Sequence, residues 1–400
     1  MAMRTENAVP RLRDDAVIRR FDGDGPSAQH VVAIDGRHFV ASEALAALLE
    51  LTRKSDNLAG LAERMSARFG KPFSAHEIER VLREQIPAVL FSAGQGEPLR
   101  GPLHLRLRLL SAARLRPVLH AMRGLFTPTV AIVLGALFLA GDCLVAVELP
   151  RHGLESFGTA SLPGACALIL AGIAVHELGH LGACHRYGAS HGGLGIGLYW
   201  CLPAFYAEVH GAWLLTRTQR CVVDVAGIYL QCIFLGVIAT AWLMRPSGTL
   251  LMVLWVSHFL VLNTLNPVLK YDGYWLLADL SGSCNLHQRM RANARRCASA
   301  MRRAAGATWP RRADVLLLGL FATLASAYFT YVVYFLAHNL AYAASRVVAL
   351  NSGWQWLAAV LGVSLLIGFA AGTTLMLARA VEGAVGFEAP AADEKNRVAR

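Results

Sequence analysis

The chain has 400 residues, of which 55% are hydrophobic and only 16% are charged. Ordinary soluble proteins carry about 25% charged residues, so this composition excludes a soluble globular, disordered or collagen-like chain and indicates a membrane protein. The 38 basic and 27 acidic residues give a net charge of +11, which in a membrane protein is typical of cytoplasmic loops rather than of nucleic-acid binding. Eight cysteines, none before Cys143, lie mostly in apolar stretches and are interpreted as buried thiols in a reducing setting.

Residues 1–100 are predicted to form a small cytoplasmic α+β unit with a winged-helix-like pattern, suited to peptide recognition. Two short strands, three helices and a closing strand follow one another along this segment. The signals are a hairpin turn at Asp35–Gly36, a helix cap at Ser42, a helix over 58–69 ended by Gly70, a capping box from Ser74 to Glu77 and a strand at 88–91.

Residues 101–123 form a basic juxtamembrane segment with five arginines and no acidic residue. Such a segment is expected to lie on anionic lipid headgroups. DNA binding by this segment, or by a DNA-linked regulator that uses residues 17–95, is the weaker alternative.

The rest of the chain is mainly α-helical, with about six membrane spans. Each predicted span is long enough to cross a hydrocarbon core of about 30 Å at about 1.5 Å per residue. The spans are 124–147, 162–184, 221–243, 249–269, 314–337 and 354–379. This pattern divides the chain into a membrane core (124–280), a basic cytoplasmic loop (281–312), two further helices (313–380) and a tail (381–400).

The loop charges predict the orientation of these spans. The predicted outside loops hold one arginine each, at Arg151, Arg245 and Arg346, and the inside loops hold the other basic residues. The positive-inside rule therefore places both termini in the cytoplasm.

An HExxH motif, His176-Glu177-Leu178-Gly179-His180, lies within the second predicted span. Positions i and i+4 share one face of a helix, so both imidazoles can bind one metal ion while Glu177 faces a reacting water. Two histidines and a glutamate are costly in lipid unless they have partners or a function. A polar cluster that only joins helices is the alternative interpretation.

A third metal ligand is expected at Asp272, in the segment that closes the fourth predicted span. Pro267 ends the helix and Gly273 lets the backbone turn beside Asp272. The predicted topology places Asp272 and the HExxH motif at a similar depth on the same side. His185 is the alternative third ligand, but its offset from His180 favours a surface histidine.

Over about residues 124–280 the chain resembles the site-2 protease superfamily of intramembrane zinc metalloproteases. The resemblance rests on His176, Glu177 and His180, on the string from Asn266 to Asp272, and on Ala226-Gly227. It implies zinc bound by the two histidines and Asp272, with Glu177 as the catalytic acid and base. Asn266 is a candidate for substrate binding or for orienting Asp272, and a purely structural role at the end of the helix is the alternative.

Two departures from the superfamily favour one bacterial branch. Lys270-Tyr271 stands where many members have further prolines, and Gln231 stands where an asparagine is often seen. The strings Pro203-Ala204-Phe205-Tyr206 and Tyr271-Asp272-Gly273-Tyr274 are similar to those of the bacterial peptide zinc metalloproteases. That branch is linked to the maturation of ribosomally made, modified peptides.

Several further segments carry weaker signals. Glycines that alternate with apolar residues within 192–213 predict either a membrane-dipping hairpin or a plain loop, and a free strand there would pair with an extended peptide. His258 is expected to line a cavity or to join two helices. Arg220 and Asp224 are predicted to pair on a helix surface, and the arginines of 289–312 to contact lipid headgroups.

The resulting hypothesis is a membrane zinc protease that removes a leader from a modified peptide. The alternatives are regulated intramembrane proteolysis of a signalling protein and a non-catalytic, zinc-clamped adaptor or export subunit. A neighbouring gene for a short precursor peptide would favour leader removal. A neighbouring gene for an anti-sigma factor would favour regulated intramembrane proteolysis. An intact Glu177 argues against the adaptor, since a structural zinc site needs no base.

The topology is testable with reporter fusions. We expect a reporter at either terminus to lie in the cytoplasm, and one inserted in 153–159 to lie outside, because the arginine distribution retains the basic loops inside. A periplasmic reporter at either terminus would contradict this arrangement.

Overall fold

A computed structural model describes residues 9–23, 29–91, 103–152, 160–199, 202–301 and 309–347. This part of the chain is mostly helical, with two small antiparallel sheets.

The described residues of 9–91, here called the N-terminal unit, form a three-stranded sheet packed on three helices. The sheet order is β1-β2-β3, and all pairs are antiparallel. The elements are β1 (Val17–Arg20), β2 (Gln29–Ile34), β3 (Arg37–Ser42), α1 (Glu43–Thr52), α2 (Leu58–Phe69) and α3 (Ala75–Glu84). Apolar side chains between the sheet and the helices form one buried core, which includes Val32, Leu49 and Leu61.

Local signals in the sequence correctly predicted most of these boundaries. The Ser42 hydroxyl accepts a hydrogen bond from the Leu45 amide, and Ser74 and Glu77 form the expected capping box. Gly70 ends α2 in the left-handed conformation, at φ 64°. The hairpin turn has positive φ at both Asp35 and Gly36, as a two-residue turn of this kind requires.

Two elements of the N-terminal unit differ from the prediction. β1 was not expected, because Val17–Arg20 is short, largely exposed and ends in two arginines, so it lacks a clear apolar alternation. The predicted closing strand at 88–91 is instead a 3-10 turn over Ala88–Leu90. The Leu90 and Phe91 amides bond to the Pro87 and Ala88 carbonyls, so the backbone is satisfied locally and no strand ladder forms.

Long apolar helices make up the remaining described chain. They comprise α5 (Pro128–His152), α6 (Leu162–Arg186), α7 (Arg217–Met244), α8 (Gly248–Thr264) and α11 (Arg312–Val347), with the shorter α4 (Ala112–Ala121), α9 (Asp272–Leu280) and α10 (Leu286–Met301). Four segments are long and apolar enough to cross a membrane: α5, α6, α7 and residues 312–331 of α11. These four helices indicate a membrane protein.

The six predicted spans are matched in part. α8 occupies the place of the fourth span but has only 17 residues, because the chain leaves the helix before Asn266-Pro267. The sixth predicted span, 354–379, lies outside the described residues. Within those residues, four helices meet the length and composition of a span, and α8 falls just short in length.

A second sheet joins two distant parts of the chain. It has the order β4-β5-β6, formed by β4 (Leu103–Leu110), β5 (Leu194–Tyr199) and β6 (Leu202–Ala207). The predicted hairpin within 192–213 is therefore present, whereas β4 was not foreseen within the basic segment 101–123. A side chain at Gly195 would meet the Tyr206 ring at 2.4 Å, so the absence of a Cβ in β5 makes room for an aromatic on β6.

The prediction that Arg289 contacts lipid headgroups is wrong. Its Nη2 lies 2.7 Å from Asp314 Oδ1, and its Nη1 donates to Ser283 Oγ at 2.9 Å. Arg289 therefore ties α10 to the start of α11, because a charge at this partly buried position needs a carboxylate partner.

His258 on α8 joins this helix to α5. Its Nε2 lies 2.7 Å from Asp142 Oδ2 on α5, its Nδ1 lies 2.6 Å from the Leu254 carbonyl, and its ring stacks on Phe138. Of the two sequence interpretations, the structure supports an interhelical histidine, since both ring nitrogens have protein partners.

This pair predicts a specific pattern of stabilities. Asp142→Ala leaves His258 without its acceptor in an apolar setting, and we expect a loss of about 1–3 kcal/mol. The double variant Asp142→Leu/His258→Phe removes both polar groups and should recover most of that loss. Thermal unfolding in detergent measures both variants, and a double variant less stable than Asp142→Ala would contradict the pairing.

Candidate metal centre

Helix α6 presents two buried imidazoles to one point. His176 and His180 are separated by four residues, so they lie on one face of the helix, about one turn apart. Their Nε2 atoms are 3.2 Å from each other. His176 is 7% exposed and His180 is 8% exposed, so both nitrogens face the protein interior rather than lipid.

Asp272 reaches the same point through a tight return of the chain. α8 ends at Thr264, and α9 starts at Asp272, so the chain reverses within seven residues. A Cβ at Gly273 would lie 2.0 Å from the Leu265 carbonyl oxygen, which only a glycine avoids. Asp272 Oδ2 is thereby placed 3.0 Å from His176 Nε2 and 3.2 Å from His180 Nε2.

These three atoms fit the coordination sphere of a single metal ion. They form a nearly equilateral triangle with edges of 3.0–3.2 Å. Nitrogen and oxygen ligands about 2.0–2.1 Å from a tetrahedral zinc ion lie about 3.3 Å apart, so the triangle matches one face of the tetrahedron. In the described part of the chain this is the one group of three or more metal-ligating residues that converges in this way.

Hydrogen bonds behind the imidazoles orient their lone pairs toward this point. His180 Nδ1 donates to the Val223 carbonyl at 2.7 Å, and His176 Nδ1 lies 3.0 Å from Gln231 Oε1. A carbonyl oxygen only accepts, so Nδ1 of His180 carries the proton and its Nε2 presents a lone pair. Asp272 Oδ2 is buried without a hydrogen-bond donor. A metal cation interacts with the lone pairs of all three atoms at once, whereas a single proton is shared by only two of them.

Gly227 on α7 leaves the space that an ion requires. A Cβ at this position would lie 2.4 Å from His180 Nε2 and 2.7 Å from His176 Nε2. Gly179 permits the close approach of α6 to α7, because its Cβ would lie 2.2 Å from the Ala226 carbonyl oxygen. Small residues of this kind allow membrane helices to pack backbone to backbone.

Glu177 lies beside the triangle without belonging to it. It is half-buried, and the backbone of Ala207 at the end of β6 lies near its carboxylate. The carboxylate is also close enough to His176, His180 and Asp272 to interact with their charges. Glu177 is therefore near the candidate ion but free of the ligand set, which is the arrangement that a general base requires.

Two further predicted residues, Asn266 and His185, have contacts of their own outside the triangle. Asn266 is 3% exposed; its Oδ1 accepts from the Val268 amide at 2.7 Å, and its Nδ2 has no protein partner among the described residues. His185 is not a ligand of the triangle, because its Nδ1 lies 3.2 Å from His191 Nε2.

The predicted surface pair of Arg220 and Asp224 is wrong. Arg220 is 3% exposed, and its Nε donates instead to Asp279 Oδ1 on α9 at 2.6 Å. The i, i+4 spacing permits a helix-surface pair, but burial makes the arginine use every available acceptor.

Gln231 and the Val223 carbonyl are functional elements that sequence reasoning missed. Gln231 stood out only as a departure from a family pattern. A buried amide two turns from Val223 and one turn beyond Gly227 could have indicated a histidine partner, since such positions face α6. The contact of the Val223 carbonyl could not be predicted, because every residue has a backbone carbonyl.

A methyl group at Gly227 tests the ion position. We expect Gly227→Ala to lower bound metal by at least tenfold, because the new Cβ enters the space between the two Nε2 atoms. Gly236→Ala on the same helix is the matched control, as its nearest neighbour would lie at 3.6 Å, an ordinary contact. Metal content of the purified variants measures the effect, and full metal content in Gly227→Ala would exclude this site.

Comparison with known proteins gives one partial match. No family model matches the chain, and no solved structure matches it. The chain is 26% identical over 107 residues to the Bacillus subtilis (strain 168) protein named "Putative peptide zinc metalloprotease protein YydH". The match covers 26% of this chain and 42% of that protein, so less than half of the relative's length is represented. The chain is similar to that protein over this stretch.

Proposed function

We propose that this protein is a zinc metalloendopeptidase of the site-2 protease type, embedded in a bacterial inner membrane with both termini in the cytoplasm. The observation that carries the proposal is the convergence of His176 Nε2, His180 Nε2 and Asp272 Oδ2, with the Glu177 carboxylate beside them. Three protein ligands with a nearby free carboxylate are typical of catalytic zinc sites, whereas structural sites have four protein ligands. The printed name of the Bacillus subtilis relative supports the same class.

The proposed chemistry is hydrolysis of a peptide bond. Bound zinc supplies Lewis-acid activation of water and of the scissile carbonyl. Glu177 accepts the proton of the attacking water at its carboxylate and then delivers that proton to the leaving amine nitrogen. His176 and His180 are held in their orientation by Gln231 and Val223, so the ligands need no rearrangement during the reaction.

Strand β6 is the proposed support for the substrate. Within the described chain β6 pairs with β5 alone, and its last residue, Ala207, lies near Glu177. A peptide added along this strand would be extended, with its carbonyls released from helical hydrogen bonds and carried past Glu177. The unpartnered Nδ2 of Asn266 is proposed to donate to such a peptide.

The substrate is proposed to be a ribosomally made, modified peptide whose leader is removed. The N-terminal unit supports this choice, because β3 pairs only with β2 in the described sheet and leaves a second strand edge for a peptide. The proposed partners are thus a peptide and the lipid bilayer, with no nucleic acid.

Glu177→Gln is the decisive substitution. It removes the proton acceptor while keeping the shape of the side chain, so we expect cleavage to fall by at least a hundredfold with zinc content unchanged. Mass spectrometry of a co-expressed candidate peptide measures cleavage, and elemental analysis measures zinc.

Asp272→Ala is the comparison, because it removes a ligand and should lose both zinc and cleavage. Undiminished cellular function of Glu177→Gln would support a non-catalytic adaptor instead. Cleavage of an anti-sigma factor rather than a short precursor would keep the peptidase but replace its substrate with a signalling protein.

A further inference from the structure

The N-terminal unit docks on the membrane core through one buried arginine. Arg220, in the first turn of α7, contacts two distant parts of the chain. Its Nε donates to Asp279 Oδ1 at 2.6 Å and its Nη2 donates to the Asp22 carbonyl at 2.9 Å. The guanidinium also lies over the Phe21 ring, 4.1 Å from the centroid. Arg220 therefore links the N-terminal unit to α9.

Burial makes this link specific. Arg220 is 3% exposed, and its Nη1 donates to the Leu215 carbonyl at 3.0 Å, so each guanidinium nitrogen has an acceptor. An arginine at such a site is tolerated only with matched partners, and loss of one partner leaves a buried charge uncompensated. Arg217 strengthens the same junction, since its amide donates to Asp22 Oδ2 at 2.9 Å and its Nε donates to the Asp279 carbonyl at 2.8 Å.

A second set of contacts runs from the N-terminal unit to the other end of α9. The His38 ring stacks on Trp213 at 4.4 Å, and Trp213 in turn packs edge-on against Trp275 at 5.8 Å. Trp275 lies three residues after Asp272, on the same side of α9. Trp213 belongs to the 3-10 turn His210–Leu214, which also touches the hairpin at Gly36.

Both sets of contacts converge on the helix that begins with a proposed metal ligand. α9 has nine residues, with Asp272 first and Asp279 in its last turn, about 10 Å apart at about 1.5 Å per residue. A helix of this length moves as one body, so a shift at Asp279 or Trp275 displaces Asp272. Arg220 also lies one turn before Val223, whose carbonyl orients His180.

We propose that docking of the N-terminal unit, through Arg220 and Trp213, positions Asp272 and so sets the metal affinity of the centre. Arg220 is a positioning residue in this scheme, because it acts through α9 and touches no metal ligand itself. The N-terminal unit is accordingly part of the metal centre's support as well as a candidate peptide receptor. The inference rests on the proposed metal site, whereas its readout does not require peptidase activity.

The test is the zinc affinity of the full chain in detergent, measured by competition with a chromogenic chelator. We expect Arg220→Met and Phe21→Ala to lower zinc affinity by about tenfold or more, as loss of a residue that orients a ligand commonly does. Arg64→Met is the matched control. Arg64 bonds to Lys54 and Ser55 inside the N-terminal unit, so its loss should leave zinc affinity unchanged.

Phe21→Ala keeps the experiment decisive if Arg220→Met does not fold, because Phe21 lies outside the membrane helices. Wild-type zinc affinity in Phe21→Ala, with the N-terminal unit released as judged by limited proteolysis, would overturn the inference. Excess zinc should restore the peptidase activity of Arg220→Met, which a general loss of structure would not allow. A wild-type chain that binds zinc without cleaving peptides would refute the proposed function, while the affinities of the variants would still decide the inference.

Discussion

The meeting of two imidazole nitrogens and one carboxylate oxygen is the constraint on which the rest of the core depends. Three electron-rich atoms within 3.2 Å repel one another unless a cation lies between them. Three features of the fold hold these atoms in place. They are the glycines at the α6–α7 contact, the return loop that only Gly273 allows, and a hydrogen bond to Nδ1 of each imidazole. Each feature costs conformational or packing freedom, and all of them surround the candidate metal centre.

Polar side chains elsewhere among the helices also have hydrogen-bond or ion-pair partners close by. His258 with Asp142, and Arg289 with Asp314, each form an interhelical pair in apolar surroundings. Each of the three guanidinium nitrogens of Arg220 donates a hydrogen bond. Arg220 and Arg289, which the sequence placed at the surface or against lipid, are therefore connections between helices, because apolar surroundings raise the cost of any unpaired charge.

The sequence predicted elements and ligand types better than it predicted partners. Caps at Ser42 and Ser74, and the spacing of His176 and His180, are local patterns that fix local geometry. Asp272 could be predicted from the sequence because Pro267 and Gly273 lie on either side of it and mark the reversal of the chain. Gln231 gave no comparable signal, since its contact with His176 spans 55 positions of the chain.

Edge strands were the elements least visible in the sequence. β1 carries adjacent arginines, and β4 lies in a segment whose arginines suggested a lipid surface. Their conformation is imposed by neighbouring strands rather than by their own composition, which is the usual weakness of strand propensity. The opposite error occurs at 88–91, where an apolar run predicted a strand. Short-range hydrogen bonds form a 3-10 turn over Ala88–Leu90 instead.

The pairing of β4 with β5 has a consequence for how the chain assembles during synthesis. Leu103 lies opposite Tyr199, so β4 leaves the ribosome nearly a hundred residues before its neighbour. Helices α5 and α6 lie between them and, if they span the bilayer, must be inserted before the sheet can close. The pairing of β4 with β5 is therefore expected to form late in folding, after the helix that carries the two imidazoles has been made.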